Sequence, residues 1–202
     1  MFIQVIHGRC SRQDELRGQL DRWREELGDD AGGWLGATYG FTDDDEFLGV
    51  VRFESRESAM ANSDRPEQGA WWADTEPLFD GPVAFHDCDR VLTMLDGGSD
   101  EAGFVQVIRG RTGDPDLLES TIRRTGDLLR DARPEIIGAT VGLEDDGTFT
   151  KTVAFTDEAA AREGESKELP LGEEARAALR EWDENVRDLR YYDLHRPWFV
   201  SR

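Results

Sequence analysis

One eight-residue phrase is written twice in this 202-residue chain, as FIQVIHGR at Phe2–Arg9 and as FVQVIRGR at Phe104–Arg111. The interval of 102 residues is kept further on, where GATYGFTDDDEF begins at Gly36 and GATVGLEDDGTF at Gly138. Chance matches do not hold one register over so long a stretch, so the chain is a tandem duplication of one supersecondary unit. Every fold assignment can therefore be made in one copy and checked in the other.

Leu16, Leu20, Trp23 and Leu27 recur at helical spacing and form one apolar stripe. Their counterparts Leu118, Ile122, Thr125 and Leu129 form a second stripe with one polar member. Ser11 is placed to cap the first of these helices, and Asp114 the second, with Pro115 in its first turn. Strands follow at 34–42 and 46–54, joined by an acidic turn at Asp43–Asp45, with Phe47, Val51 and Phe53 on one face. The second copy gives strands at 136–143 and 148–156, with Phe149, Val153 and Phe155 equivalent and Asp145-Asp146-Gly147 as the hairpin turn. Second helical regions at 56–79 and 157–187 are interrupted by Pro66 and Pro170. A closing strand begins each last segment, VAFHDCDR from Val83 and LRYYDLHR from Leu189; the interval is now 106, so the second copy has gained four residues. The polar stretch Leu95–Ala102 reads as a linker between repeats at 1–94 and 103–202.

Each half thus reads strand–helix–strand–strand–helix–strand, the ferredoxin-like βαββαβ unit of the α+β class. In FIQVI, Phe2 and Ile6 point one way while Ile3 and Val5 point the other. A strand with one solvated face alternates apolar with polar, so this pattern calls for burial on both faces: helices on one side, the sibling sheet on the other. On this topology the chain resembles a tandem member of the dimeric α+β barrel superfamily, which includes the antibiotic-biosynthesis monooxygenases. The resemblance spans essentially the whole chain but carries no short motif that selects a subfamily. It implies two sheets packed face to face as an intramolecular barrel. The linker reaches roughly 26 Å when extended, which permits this. Two ferredoxin-like domains side by side are the competing arrangement.

Composition narrows the function. The formal charge of −20 opposes nucleic acid and anionic membrane surfaces, both of which require clustered cations. Only Lys151 and Lys167 are lysines; the remaining cations are arginines, a skew that codon bias or salt adaptation accounts for. No apolar run is long enough to span a bilayer and the N-terminus lacks a secretory pattern. Cys10 and Cys88 lack metal-ligand spacing and read as free thiols, in keeping with a cytoplasmic protein. A monomer with an internal pseudo-dimer, or a homodimer, is expected.

The superfamily resemblance implies cofactor-free oxygenation of aromatic or polyketide-like molecules, haem degradation, or haem-dependent peroxidase-like chemistry. The haem chemistries require a helical histidine, whereas His7, His86 and His195 lie in or beside strands. No cofactor is therefore expected, and a haem-binding or haem-degrading protein ranks last. Cofactor-free oxygenation needs an apolar, aromatic-walled pocket and a group to move a proton. Trp34, Trp71 and Trp72 are the candidate walls, His86 the candidate proton acceptor, and His7 a further contact for a small apolar or aromatic partner. Adjacent helical residues point about 100° apart, so one tryptophan of the Trp71–Trp72 pair is expected to face the sheet. Gln4/Gln106, Arg9/Arg111, Asp87/Asp193 and Arg90/Arg196 match between copies and suit scaffold roles; His7/Arg109, His86/Tyr192 and Asp89/His195 differ, and function is sought among such differences. No nucleophile elbow, P-loop, dinucleotide fingerprint, zinc-protease or calcium-loop motif is present. The alternative is a non-catalytic ligand-binding or stress-related protein on the same scaffold.

Overall fold

The computed structural model describes residues 1–95, 97–98, 100–167 and 172–201, with the side chains at 127–129, 131, 174 and 175 outside that description. Pro170, Leu129 and part of the 95–102 linker, all assigned roles above, therefore lie outside the described residues. The first copy contains β1 (Phe2–Arg9), α1 (Gln13–Glu26), β2 (Trp34–Phe41), β3 (Glu46–Phe53), α2 (Arg56–Ser63), α3 (Pro66–Thr75), a 3-10 turn at Glu76–Leu78, β4 (Ala84–Cys88) and β5 (Arg90–Met94). The second contains β6 (Phe104–Thr112), α4 (Pro115–Ala132), β7 (Ile136–Leu143), β8 (Thr148–Phe155), α5 (Glu158–Ser166), α6 (Glu173–Asn185), β9 (Val186–Leu194) and β10 (Trp198–Ser201). Among the described residues no helix is long and apolar enough to cross a membrane.

Two antiparallel five-stranded sheets result, in the orders β10-β2-β3-β1-β4 and β5-β7-β8-β6-β9. Four strands of each come from one repeat in ferredoxin-like order, and the fifth comes from the other repeat. Two compact units follow: Met1–Asp89 with Trp198–Arg202, and Arg90–Pro197. The exchanged strands are repeat equivalents, for Leu92 pairs with Val141 and Trp198 with Tyr39. Neither was foreseen, because each follows the sixth element that completes a βαββαβ unit.

Local chemistry explains the rest. Asp114 caps α4, its Oδ1 accepting from the backbone N–H groups of Asp116 and Leu117. Ser11 does not cap α1. Its N–H and hydroxyl both donate to Asp80, and Arg12 occupies the cap position without a side-chain bond. The turn of the second hairpin places Gly147 at φ 83°, and its counterpart Asp45 adopts φ 63°, with its Oδ1 accepting from Gln13. In the first unit the helix-facing core gathers Phe2, Leu20, Trp23, Trp34, Phe47 and Trp71. Ile3, Val5, Leu48 and Val50 point to the opposite face and are also buried, as the doubly apolar opening strand requires.

Candidate functional site

Strand alternation decides which of the residues singled out from sequence can meet. In the first unit, β1 pairs with β4 so that Val5 opposes His86 and Ile6 opposes Phe85. Opposed residues share a face. Phe85 contacts Trp72 on the helix side, with ring centroids 5.1 Å apart, so the half-buried His86 projects from the other face, beside Val5. His7 lies on that same face and bonds Glu46 at 2.8 Å through Nε2. Trp34, Trp71 and Trp72 all belong to the helix side. The structure brings the three tryptophans together and places both histidines across the sheet from them.

The tryptophans fill their interface. Trp34 is 1% exposed and meets Trp23 edge-on at 5.2 Å, while Trp71 meets Trp23 at 6.4 Å and donates through Nε1 to the Gln19 carbonyl. Of the adjacent pair, Trp71 is buried and Trp72 half-buried against Phe79 and Phe85. Tyr39 covers Gly49, where an added Cβ would come within 3.1 Å of its ring. A cavity of about 60 Å³ lies between helices and sheet beside Trp23, Tyr39 and Trp71.

The second unit has the same frame and different filling. Register equates Gly49 with Lys151, since Ile6 opposes the former and Ile108 the latter. Likewise Tyr39 corresponds to Val141, Trp23 to Thr125 and Trp34 to Ile136. Where the first copy has three large aromatic side chains the second has Val, Thr and Ile, and lysine stands in place of glycine. A pocket of about 260 Å³ opens, floored by Ile108 and Lys151 of the sheet and walled by Ile122 and Thr125 of α4 and by Trp182 of α6. Ile108, Lys151 and Tyr191 also line an adjoining recess of about 480 Å³, so Lys151 stands where the two spaces meet.

Lys151 is half-buried, with Nζ 5.8 Å from the Trp182 ring centroid. Desolvation, aided by the positive field of Arg133, pushes its ammonium below the ordinary lysine range. The other cations of the recess are ion-paired: Arg133 with Glu135, and Arg162 with Asp193 and Glu165. Among the described residues Lys151 makes no ion pair of this kind. The mouth lies along β9, where Leu189 and Tyr191 are exposed. A bulge opposite Gly110, with Asp188 at φ 57°, sets Leu189 against this edge; a Cβ on Gly110 would lie 2.7 Å from its Cδ2.

The matched Gln and Asp residues join neighbouring strands. Gln4 donates to Asp87 and Gln106 to Asp193, both at 2.9 Å, and Arg56 and Arg162 reach the same aspartates. The differing pair His7/Arg109 keeps one role, since Arg109 bonds Glu144 at 3.2 Å as His7 bonds Glu46. Sequence reading missed Lys151 and Trp182. The signal was present: Phe149, Val153 and Phe155 share an inward stripe, and position 151 interrupts it with one of only two lysines.

No protein-family model and no curated protein sequence matches the chain. Solved structures do match its fold. A protein from Lactobacillus acidophilus described as a candidate monooxygenase superposes with a TM-score of 0.73 at 10% identity, over 99% of this chain and 95% of its own. An anthrone oxidase-like protein gives 0.67 at 10% identity, over 99% and 92%. A ferredoxin-fold protein related to antibiotic biosynthesis monooxygenases, from Listeria monocytogenes, gives 0.54 at 11% identity, over 96% and 94%. The chain therefore has the tandem ferredoxin-like α+β fold of these proteins.

Proposed function

We propose that the protein binds a flat, apolar or aromatic small molecule in the helix–sheet pocket of the second unit, and that it oxygenates that molecule without a cofactor. One observation carries the reading: the copy without the aromatic filling is the copy with a lysine on the pocket floor. Apolar walls and Trp182 suit a planar ring, and Lys151 supplies a nitrogen base within them. The names of the neighbouring structures, a monooxygenase and an anthrone oxidase-like protein, support the same class of chemistry.

In this reading the neutral Lys151 amine takes a proton from an activated ring CH2 or from a phenol. The electron-rich anion then reduces dioxygen. One oxygen atom becomes the new carbonyl and the other leaves as water: CH2 and O2 yield C=O and H2O, and a phenol whose para carbon bears hydrogen yields with O2 a quinone and H2O. His86 lies across its sheet from the helix side and has no part in this. Oxygen uptake measured with anthrone or a quinol tests the proposal. Saturable uptake that falls at least tenfold in Lys151→Met and persists in His86→Ala is the expected result. Ligand binding with no uptake above autoxidation removes the oxygenase and leaves a binding protein.

A further inference from the structure

We infer that Lys151 is a reactive amine that condenses with an aromatic aldehyde or ketone seated in the second unit's pocket, holding it as an imine. The inference rests on reading that pocket as the ligand site, and it adds the carbonyl class of the ligand. Geometry carries it. Lys151, at the centre of β8, lines both the 260 Å³ pocket and the 480 Å³ recess, and the exposed Leu189 lines the same pocket.

Burial and the charge of Arg133 favour the neutral amine, and the carboxylate of Asp183 opposes them. Arg133, at the end of α4, repels an ammonium; Arg162 of α5 is ion-paired with Glu165 of the same helix and Asp193 of β9; Asp183 of α6 lines the pocket without pairing with Lys151. The Trp182 face favours the ammonium, but at 5.8 Å it offsets only part of the desolvation. An amine so placed offers its lone pair to a carbonyl carbon, whereas a protonated one cannot.

The step balances without an external oxidant or reductant. The nitrogen lone pair forms the C–N bond as the C=O π pair moves to oxygen, and a proton passes from nitrogen to that oxygen. The carbinolamine then loses water to give C=N. The product is uncharged and fits apolar walls better than an ammonium does.

The chain contains its own control, because its other lysine, Lys167, is exposed and paired with Glu163 at 2.7 Å. The experiment treats the full-length protein at pH 7 with 2-naphthaldehyde and cyanoborohydride, and peptide mass spectrometry compares adduct formation at the two lysines. Native mass spectrometry with 2-naphthol, which has no carbonyl, reads pocket occupancy separately. Labelling of Lys151 at least tenfold faster than Lys167, suppressed by excess 2-naphthol, is the expected result. Equal or slower labelling at Lys151 while 2-naphthol binds overturns the imine and leaves the pocket reading intact. Absence of both binding and preferential labelling overturns the two together. Labelling of Lys167 in Lys151→Met should stay at its wild-type rate; a rise to the rate seen at Lys151 would show that the reactivity is not a property of this site.

Discussion

The contrast between the two helix–sheet interfaces can be measured by truncating one equivalent residue in each, Trp23→Ala and Thr125→Ala. Trp23 is 6% exposed, touches Trp34 and Trp71 edge-on, and donates through Nε1 to Gln68 at 2.6 Å. Removing a buried Trp typically costs about 3–5 kcal/mol. The two aromatic contacts and the stranded Gln68 acceptor place this site toward the upper end. Thr125 donates to the Thr121 carbonyl one turn back at 2.8 Å and otherwise borders open space. Losing that hydroxyl and a methyl beside an existing cavity costs about 1 kcal/mol or less. For a chain of this length, about 3–5 kcal/mol corresponds to a fall in Tm of roughly 6–20 °C. Urea unfolding monitored at constant m-value reports both changes. If the two variants differed by less than about 1 kcal/mol, the second interface would be as tightly filled as the first, and the pocket would not exist as described.

Thr125→Trp restores the aromatic of the first copy. It should abolish 2-naphthol binding while leaving the far-UV circular dichroism spectrum unchanged; undiminished binding would move the ligand site elsewhere. Lys151→Met should be more stable than the wild type near neutrality, by a margin that shrinks as pH rises toward the ordinary lysine value of 10.5. The lowered native pKa means the unfolded chain binds more protons between the two values, so wild-type stability rises with pH there. A margin that stayed constant in pH-resolved urea titrations would contradict that sign. Cys10 and Cys88 are both fully buried, and burial raises the Cys10 thiol. A disulfide exchange reagent should reach them only on unfolding, and prompt native labelling of both would refute that burial.

Duplication made the fold legible and concealed the site. Two copies in register fix strands, helices and hairpins, because each assignment must satisfy two sequences at once. The opening octet even announces burial on both faces of its strand. What the repeat logic could not show is where each unit ends, since β5 and β10 join the sheet of the other repeat, and edge pairing is not written in a strand's own alternation. Among the differing positions the histidines carry the most obvious chemistry, yet in the first unit His86 and the tryptophans fall on opposite faces. The informative differences were losses of bulk. Trp23, Trp34 and Tyr39 give way to Thr125, Ile136 and Val141, and none of these looks chemical by itself. Thr125 lines the pocket and Ile136 the recess, and Lys151, which stands where the first copy has Gly49, puts an amine beside both. A glycine can become a lysine on a core-facing strand position only where neighbouring side chains have withdrawn, because a well-packed core has no room for four methylenes and a charge. Hence the copy with the aromatics is the packed one, and the copy without them has room for a ligand.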